Sequence, residues 1–327
     1  MLIAGDIGGT HTRLACVQMR DEEPVIVSQK IYASQRAASL QEILHQFLQQ
    51  CEQKMFDAAV FAVPGPVIQG SCHTTNLPWK LCEQDIKDSF SFPYVYLLND
   101  VEGHAWMLTL KNKSGLLPVY QGSSVSGNYA LLALGTGLGE AGLIWNGASH
   151  LPFASEGGHC DFAPNNEEQW QLKNYLSKKW DHVSYERVLS GPGFVNLYMF
   201  YRDTYQLEEP AWLTQQLQQT DAPALLTQLA LQAELPSCVR ALDCFISILA
   251  DEMGNCALKY LAQGGIFLAG GFVYKLLKRL QEPFFLQSYL DKGRLRPLLE
   301  KISITVIHDE LSCVRGAARY ADVHLRG

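Results

Sequence analysis

Two glycine-rich turns and a carboxylate at the end of an apolar run are the parts of this chain best suited to phosphate and hydroxyl chemistry. The first turn is Gly5-Asp6-Ile7-Gly8-Gly9-Thr10-His11-Thr12-Arg13. An acidic residue there ends a strand-like run, two glycines permit a tight turn, and backbone N–H groups with threonine hydroxyls become available to phosphate oxygens. Asp6 would stand close to a phosphate-bound Mg²⁺, a hard cation that takes oxygen ligands. An ordinary hairpin is the competing reading, because Gly-Gly turns are common. The second turn is Leu134-Gly135-Thr136-Gly137-Leu138-Gly139. Its glycine spacing is like a dinucleotide fingerprint, but that fingerprint must open a helix. Here the chain enters Ala141 to Trp145 and the hairpin-forming pair Asn146-Gly147. A hairpin offering backbone N–H groups to phosphates fits better. No GxxxxGK[ST] sequence is present.

The carboxylate lies in Leu97-Leu98-Asn99-Asp100. An acidic residue at the end of an apolar strand sits at the sheet rim, where α/β proteins bind ligands. Phosphoryl transfer to an alcohol needs a base that orients and deprotonates the hydroxyl, and Asp100 suits that role. Asn-Asp after a strand is equally a normal turn or helix cap. Further on stand Ser155-Glu156-Gly157-Gly158-His159-Cys160-Asp161 and Tyr185-Glu186-Arg187-Val188-Leu189-Ser190-Gly191-Pro192-Gly193. Polyhydroxylated ligands need convergent donors and acceptors, which Glu, His and Asn supply. A zinc site at His159, Cys160 and Asp161 is disfavoured, because adjacent residues rarely converge on one tetrahedral ion.

The elements that must position these residues follow from periodicity. The opening reads as strand, turn, strand, strand. Ser39 and Glu42 form a capping-box pair ahead of a helix with Leu40, Ile43, Leu44, Phe47 and Leu48 at helical spacing. Apolar strands are expected at Ala58 to Val63, Tyr94 to Leu98, Ala130 to Leu134, Ile266 to Ala269 and Ile302 to Val306. A helix-rich stretch covers about 167–262, broken at Ser190 to Gly193. The last helix carries Leu311, Val314, Ala317, Ala318 and Ala321 on one face. Strands alternating with helices argue for α/β architecture, and two halves each opening on a glycine-rich hairpin suggest two related α/β domains.

The 327 residues carry a formal charge of -7 and are 47% apolar. That material is enough for two domains, and the acidic balance disfavours nucleic-acid partners. The short basic run Lys275 to Arg279 reads as a solvated helix face. Nine scattered cysteines without a CxxC pair read as buried free thiols of a reducing compartment. The start on a strand-like run, and the lack of an apolar stretch near the roughly 20 residues that span a bilayer, lead us to expect a soluble cytoplasmic protein.

Taken together, these segments resemble the bacterial glucokinase family, within the sugar kinase/Hsp70/actin superfamily. The resemblance also includes Pro64-Gly65-Pro66-Val67, Thr75-Asn76-Leu77-Pro78-Trp79, Phe267 to Phe272, Asp291-Lys292-Gly293-Arg294 and His308-Asp309, in the same order along nearly the whole chain. It implies a two-domain actin-like ATPase (ribonuclease H-like) fold with the active site in an interdomain cleft. The expected division is a smaller α/β domain of 1–105 plus 310–327 and a larger one of 106–309. It implies ATP-dependent phosphorylation of D-glucose to glucose 6-phosphate, with Asp100 as base toward the 6-hydroxyl. Asn76, Asn99, Asp100, Glu156, His159 and Glu186 would hold the sugar. Asp6, Gly8, Gly9, Thr10, Thr12, Arg13, Gly135, Thr136, Gly137, Gly270 and Gly271 would contact ATP, and Asp6 would meet Mg²⁺ through water. A homodimer is implied as well. Two places depart from the family pattern, His11 and Glu102-Gly103. The alternatives are a kinase for another hexose, such as mannose or glucosamine, a non-catalytic sugar sensor, and an ATPase or acid kinase of the same superfamily. Asp100 argues against the sensor, and Glu156, His159 and Glu186 against the last pair.

Overall fold

The computed structural model describes residues 1–53, 55–74, 77–123 and 125–326. In chain order these form β1 (Leu2–Ile7), β2 (His11–Arg20), β3 (Glu23–Ala33), α1 (Leu40–Gln50), β4 (Ala58–Val63), β5 (Ser71–His73), β6 (Lys80–Cys82), α2 (Glu83–Phe90), β7 (Val95–Asn99) and α3 (Asp100–Met107). Next come β8 (Leu116–Tyr120), β9 (Tyr129–Leu134), β10 (Leu138–Trp145), β11 (His150–Ser155), α4 (Glu167–Leu176), α5 (Gly191–Thr204), α6 (Ala211–Leu217), α7 (Ala222–Leu231) and α8 (Pro236–Lys259). The chain ends with β12 (Gly265–Ala269), α9 (Gly271–Lys275), α10 (Leu277–Leu280), α11 (Pro283–Leu290), α12 (Arg296–Leu299), β13 (Ile304–Ile307) and α13 (Ser312–Arg326). They divide into two compact units. One comprises Met1–Leu116, Asn146–Ala154 and Asp309–Gly327, and the other Leu117–Trp145 and Ser155–His308.

The first unit is built on a sheet ordered β3-β2-β1-β4-β7. β1 pairs antiparallel with β2 and parallel with β4, which is parallel to β7. Every residue of β4, Ala-Ala-Val-Phe-Ala-Val, is buried, as expected of a central strand covered on both faces. Side chains alternate between the faces. Ile3, Ile7, Leu14 and Phe61 pack with Leu40, Ile43 and Phe47 of α1, whereas Leu2, Ala4, Ala15 and Val60 pack with Val314, Ala317 and Ala321 of α13. α1 starts where its capping pair predicts, since Ser39 accepts the Glu42 amide and Glu42 accepts the Ala38 amide at 2.8 Å.

α13 also crosses α3 at close range. A Cβ on Gly316 would overlap the carbonyl of Gly103, and one on Gly103 would lie 3.2 Å from Ala62 Cβ. Gly103, a departure from the family pattern, is thus the residue that lets two helices touch through their backbones.

The second unit repeats the scheme. β9 pairs antiparallel with β10 and parallel with β12, and β12 is parallel to β13. The helices α5, α8 and α11 bury Phe194, Tyr198, Phe245, Ile248 and Phe285 against Leu132, Leu134 and Leu268 of this sheet. The helix-rich stretch resolves into α4 to α8. Ser190-Gly191-Pro192-Gly193 begins α5, with Ser190 as its cap and proline in the first turn, where its missing N–H costs nothing. β5, β6, β8 and β11 were not anticipated; three of them have five residues or fewer, too short to show a period.

All nine cysteines are free, but Cys160 is exposed and Cys82 partly so, which corrects the expectation of uniformly buried thiols. In the basic run, Arg279 is ion-paired with Asp243 and Glu282 instead of simply solvated. Among the described residues, no helix is long and apolar enough to cross a membrane.

Candidate active site

In the first unit, β1, β4 and β7 run parallel and end together. Register places Asp6 beside Ala62, and Val63 beside Asn99. The edge past the strands' carboxyl ends therefore gathers Asp6, the Pro64-Gly65 turn, Asn99 and Asp100, the kind of edge where α/β sheets bind ligands. Asp6 faces Arg13 across the hairpin, with Arg13 Nη1 3.7 Å from Asp6 Oδ2. Burial pushes the Asp6 carboxyl above its ordinary value, and the Arg13 charge offsets only part of this. Asn99 caps α3: its Oδ1 accepts the Val101 amide at 2.9 Å, and its Nδ2 donates to the Gly65 carbonyl at 3.1 Å. Asp100 opens α3, and its Oδ1 also accepts the Val101 amide at 2.9 Å, so the carboxylate stands at a helix N-terminus. The Cys313 thiol donates to the Asp100 carbonyl at 3.4 Å. Burial raises that thiol well above its usual range, and the nearby Asp6 and Asp100 charges add to it. Asp6 and Asp100 thus flank one buried thiol.

The first turn is closed by Gly8, whose N–H donates to His11 O at 2.9 Å. A Cβ on Gly8 would stand 2.9 Å from that same oxygen. Gly9 is partly exposed and Thr10 exposed. Thr12 is a correction: its hydroxyl was expected to face phosphate, yet it is fully buried and bonded to Ser34 Oγ at 2.9 Å. Ser34 in turn donates to Gly8 O at 2.7 Å. Thr12 and the unforeseen Ser34 brace the turn from behind. Asn76 lies outside the described residues.

In the second unit, Gly135, Thr136 and Gly137 connect β9 to β10, and Gly135 N donates to Gly137 O at 3.0 Å. Gly270, at φ +100°, passes so close to the Leu134 backbone that only glycine fits, bringing Gly270 and Gly271 to the same sheet edge. A Cβ on Gly135 or Gly271 would meet nothing within 4 Å. Open space over glycine backbone is what a nucleotide phosphate chain requires, so these residues fit that group. Glu186 accepts the Leu138 amide at 3.1 Å and stands against Gly137. Glu156 and His159 are exposed at the two ends of one short turn, Glu156 O accepting the His159 amide at 3.0 Å. Gly158 abuts the Leu138 carbonyl. The fold therefore brings Glu156, His159 and Glu186 around the Gly135–Gly137 hairpin.

The sequence profile of the glucokinase family matches residues 3–324. The chain belongs to the glucokinase family. The glucokinase of Nostoc punctiforme is 35% identical over 333 residues, covering 97% of this chain and 98% of that one. That of Caulobacter vibrioides is 30% identical over 319 residues, covering 97% and 93%. Among solved structures, a glucokinase from an Antarctic psychrotroph superposes with TM-score 0.84 at 29% identity, covering 98% of both chains. A Streptomyces griseus ROK-family glucokinase, solved with glucose and AMPPNP, has TM-score 0.66 at 18% identity and covers 100% and 99%; it bears on the fold alone. The fold is the two-domain actin-like ATPase fold of glucokinases and ROK sugar kinases.

Glu140 was not foreseen. It is buried in β10 beneath Gly157, with one oxygen unpartnered. The signal available was a single carboxylate inside the apolar run Leu138 to Trp145.

Proposed function

We propose that the protein transfers the γ-phosphoryl group of ATP to the 6-hydroxyl of D-glucose, releasing ADP and glucose 6-phosphate. The observation that carries this is Asp100, a carboxylate fixed by the Val101 amide at the sheet edge of a chain matching the glucokinase family throughout. Asp100 accepts the 6-hydroxyl proton as that oxygen attacks the γ-phosphorus and the bond to the β-phosphate oxygen breaks. Glu156, His159 and Glu186, with Asn76 and Asn99, hold the remaining hydroxyls. The backbone at Gly8, Gly9, Thr10, Gly135, Thr136, Gly137, Gly270 and Gly271, together with Arg13, receives the nucleotide. Mg²⁺ would supply charge neutralisation on the phosphates, and Asp6 is the residue that would hold it through water; a nearby cation would favour the ionised form that burial opposes. Positioning and charge stabilisation carry such a transfer, since little covalent chemistry is asked of the protein.

The test is ADP release with Mg-ATP across glucose, mannose, fructose, glucosamine and N-acetylglucosamine, repeated with Asp100→Asn. We expect glucose to lead. The variant should lose at least about 100-fold in kcat, in the range assigned to a general base, while binding glucose as the wild type does. Turnover led by another hexose moves the specificity, and an Asp100→Asn enzyme with near-normal kcat removes Asp100 from the base role. On the same reading the enzyme is cytoplasmic and a homodimer, the latter open to light scattering.

A further inference from the structure

Beneath the proposed sugar-binding residues of the second unit lies a buried polar cluster that the reaction itself does not use. Glu140 on β10 is 1% exposed, and Glu252 and Cys256 on α8 are fully buried. Glu252 is well served: Lys259 Nζ donates to its Oε1 at 2.8 Å and Asn255 Nδ2 to its Oε2 at 2.8 Å. Glu140 is not. Its Oε2 receives only the Cys256 thiol at 3.4 Å, and its Oε1 has no partner. Burying a carboxylate so poorly partnered is costly, which asks what the side chain supports.

Two links lead upward from the cluster. The Glu140 carboxyl fills the space where a Cβ on Gly157 would be, so Gly157 rests directly on it. Gly157 is the residue between Glu156 and the Gly158-His159 pair, and its amide is held by Ser155 Oγ at 2.9 Å. On the other side, Asn255 Nδ2 also donates to the Tyr185 hydroxyl at 3.1 Å, and Tyr185 precedes Glu186. Both segments proposed to read the sugar are therefore seated on one buried cluster.

We propose that Glu140 is a positioning residue for sugar recognition: its carboxyl, braced by α8, sets the height of Gly157 and through it the placement of Glu156 and His159. This rests on the functional reading above. The groups facing Glu140 are Glu252, Cys256 and Lys259 from α8, Tyr260 just beyond it, and Gly157 from the supported segment. One ammonium serves two carboxylates, and it is bonded to Glu252. Burial first, and the Glu252 charge second, push Glu140 up to about 7. Below that pH Glu140 is neutral and sits quietly against Glu252. Above it a second buried negative charge appears, and repulsion loosens the support.

The experiment is steady-state kinetics for glucose and ATP, with calorimetric glucose binding, on the wild type, Glu140→Gln and Glu140→Ala between pH 6 and 8.5. Glutamine keeps the shape without the charge. We expect it to preserve the glucose KM and to flatten its rise above pH 7. Alanine removes the seat and should raise the glucose KM and weaken binding by about tenfold, short of the roughly 100-fold that a full 1 Å misplacement can cost, with the ATP KM within about twofold. Should Glu140→Ala fail to fold, the pH profile of Glu140→Gln decides alone. A Glu140→Gln profile that coincides with the wild type, or an alanine variant that shifts both KM values equally, overturns the proposal. Stoichiometric Zn²⁺ in the wild type that Glu140→Gln loses would make the cluster a metal centre and also overturn it. A wild type that neither binds nor phosphorylates glucose overturns the functional reading and this inference with it.

Discussion

Replacing Gly316 with alanine tests how the last helix of the first unit is seated, and the sign of the effect is informative. In an exposed helix interior, alanine stabilises by about 1 kcal/mol over glycine. At Gly316 the added methyl would overlap the Gly103 carbonyl and lie 2.8 Å from the Met107 amide nitrogen. Both are backbone atoms of α3, so no rotamer change relieves the clash and the helices must separate. Overpacking of this kind costs about 1–3 kcal/mol, occasionally more. A rigid backbone obstacle belongs at the upper end, and propensity gives back about 1 kcal/mol, so the net loss is about 2 kcal/mol. For a unit of roughly 150 residues that lowers Tm by about 4–8 °C. Thermal unfolding at pH 7 reads it directly, and a lower urea midpoint with unchanged slope would exclude a change in the compactness of the unfolded chain. The separation also reaches the chemistry, because Cys313 on α13 bonds the Asp100 carbonyl that opens α3. We therefore expect kcat to fall more than glucose affinity. A Gly316→Ala protein as stable as the wild type, or stabilised as an open helix would be, refutes the argument that backbone contact locks these helices.

His104 extends the same region to pH. Burial pushes its imidazole down to about 4 from the ordinary 6.5, against the opposing charge of Asp309, and its Nδ1 shares a 2.9 Å hydrogen bond with Ser312 Oγ. The folded protein thus keeps His104 neutral while the unfolded chain protonates near 6.5, so stability present above that pH is lost as it falls toward 4, by up to about 3 kcal/mol; urea midpoints at pH 7 and 5 should differ, and His104→Asn should narrow the gap. Among the thiols, Cys160 is the exposed one, so a disulfide reagent should modify one thiol quickly in the native protein, Cys160→Ser should abolish that phase, and glucose should slow it through the neighbouring His159.

Much of this arrangement was legible because it is local. Strand, glycine turn and strand at Asp6 and at Gly135, the Ser39-Glu42 cap and the apolar face of α13 each follow from a few adjacent residues. Thr12 could have been placed by the same logic. It shares the period-2 face of Leu14 and Cys16, both core residues, so its hydroxyl had to point inward, and only the attraction of a threonine beside a phosphate-like turn argued otherwise. Gly103 was visible only as an oddity, since its reason lies in Gly316 near the other end of the chain. Glu140 was hidden for the same cause: its partners Glu252 and Cys256 come from a helix more than a hundred residues on, and spacing carries no information about such pairs.

The glycines of the second unit show why those distant contacts matter for chemistry. Gly137 lies against Glu186, Gly158 against the Leu138 carbonyl, and Gly157 against Glu140. At Gly158 the obstacle is backbone, so a methyl group there would force the Glu156–His159 turn off the hairpin, whereas Gly137 and Gly157 meet the carboxylate ends of Glu186 and Glu140. One oxygen of Glu186 accepts the amide of Leu138, the residue that ends the hairpin. If Glu186 binds a sugar hydroxyl while the hairpin binds phosphate, neither contact can shift without disturbing the other. The Glu156 side chain is exposed at the start of its turn, which meets the hairpin through the Gly158 backbone instead. The two acids proposed to read the sugar are therefore not equivalent. On the proposed reading Glu156 would meet one ligand, whereas Glu186, bonded to the Leu138 amide, would couple the placement of both.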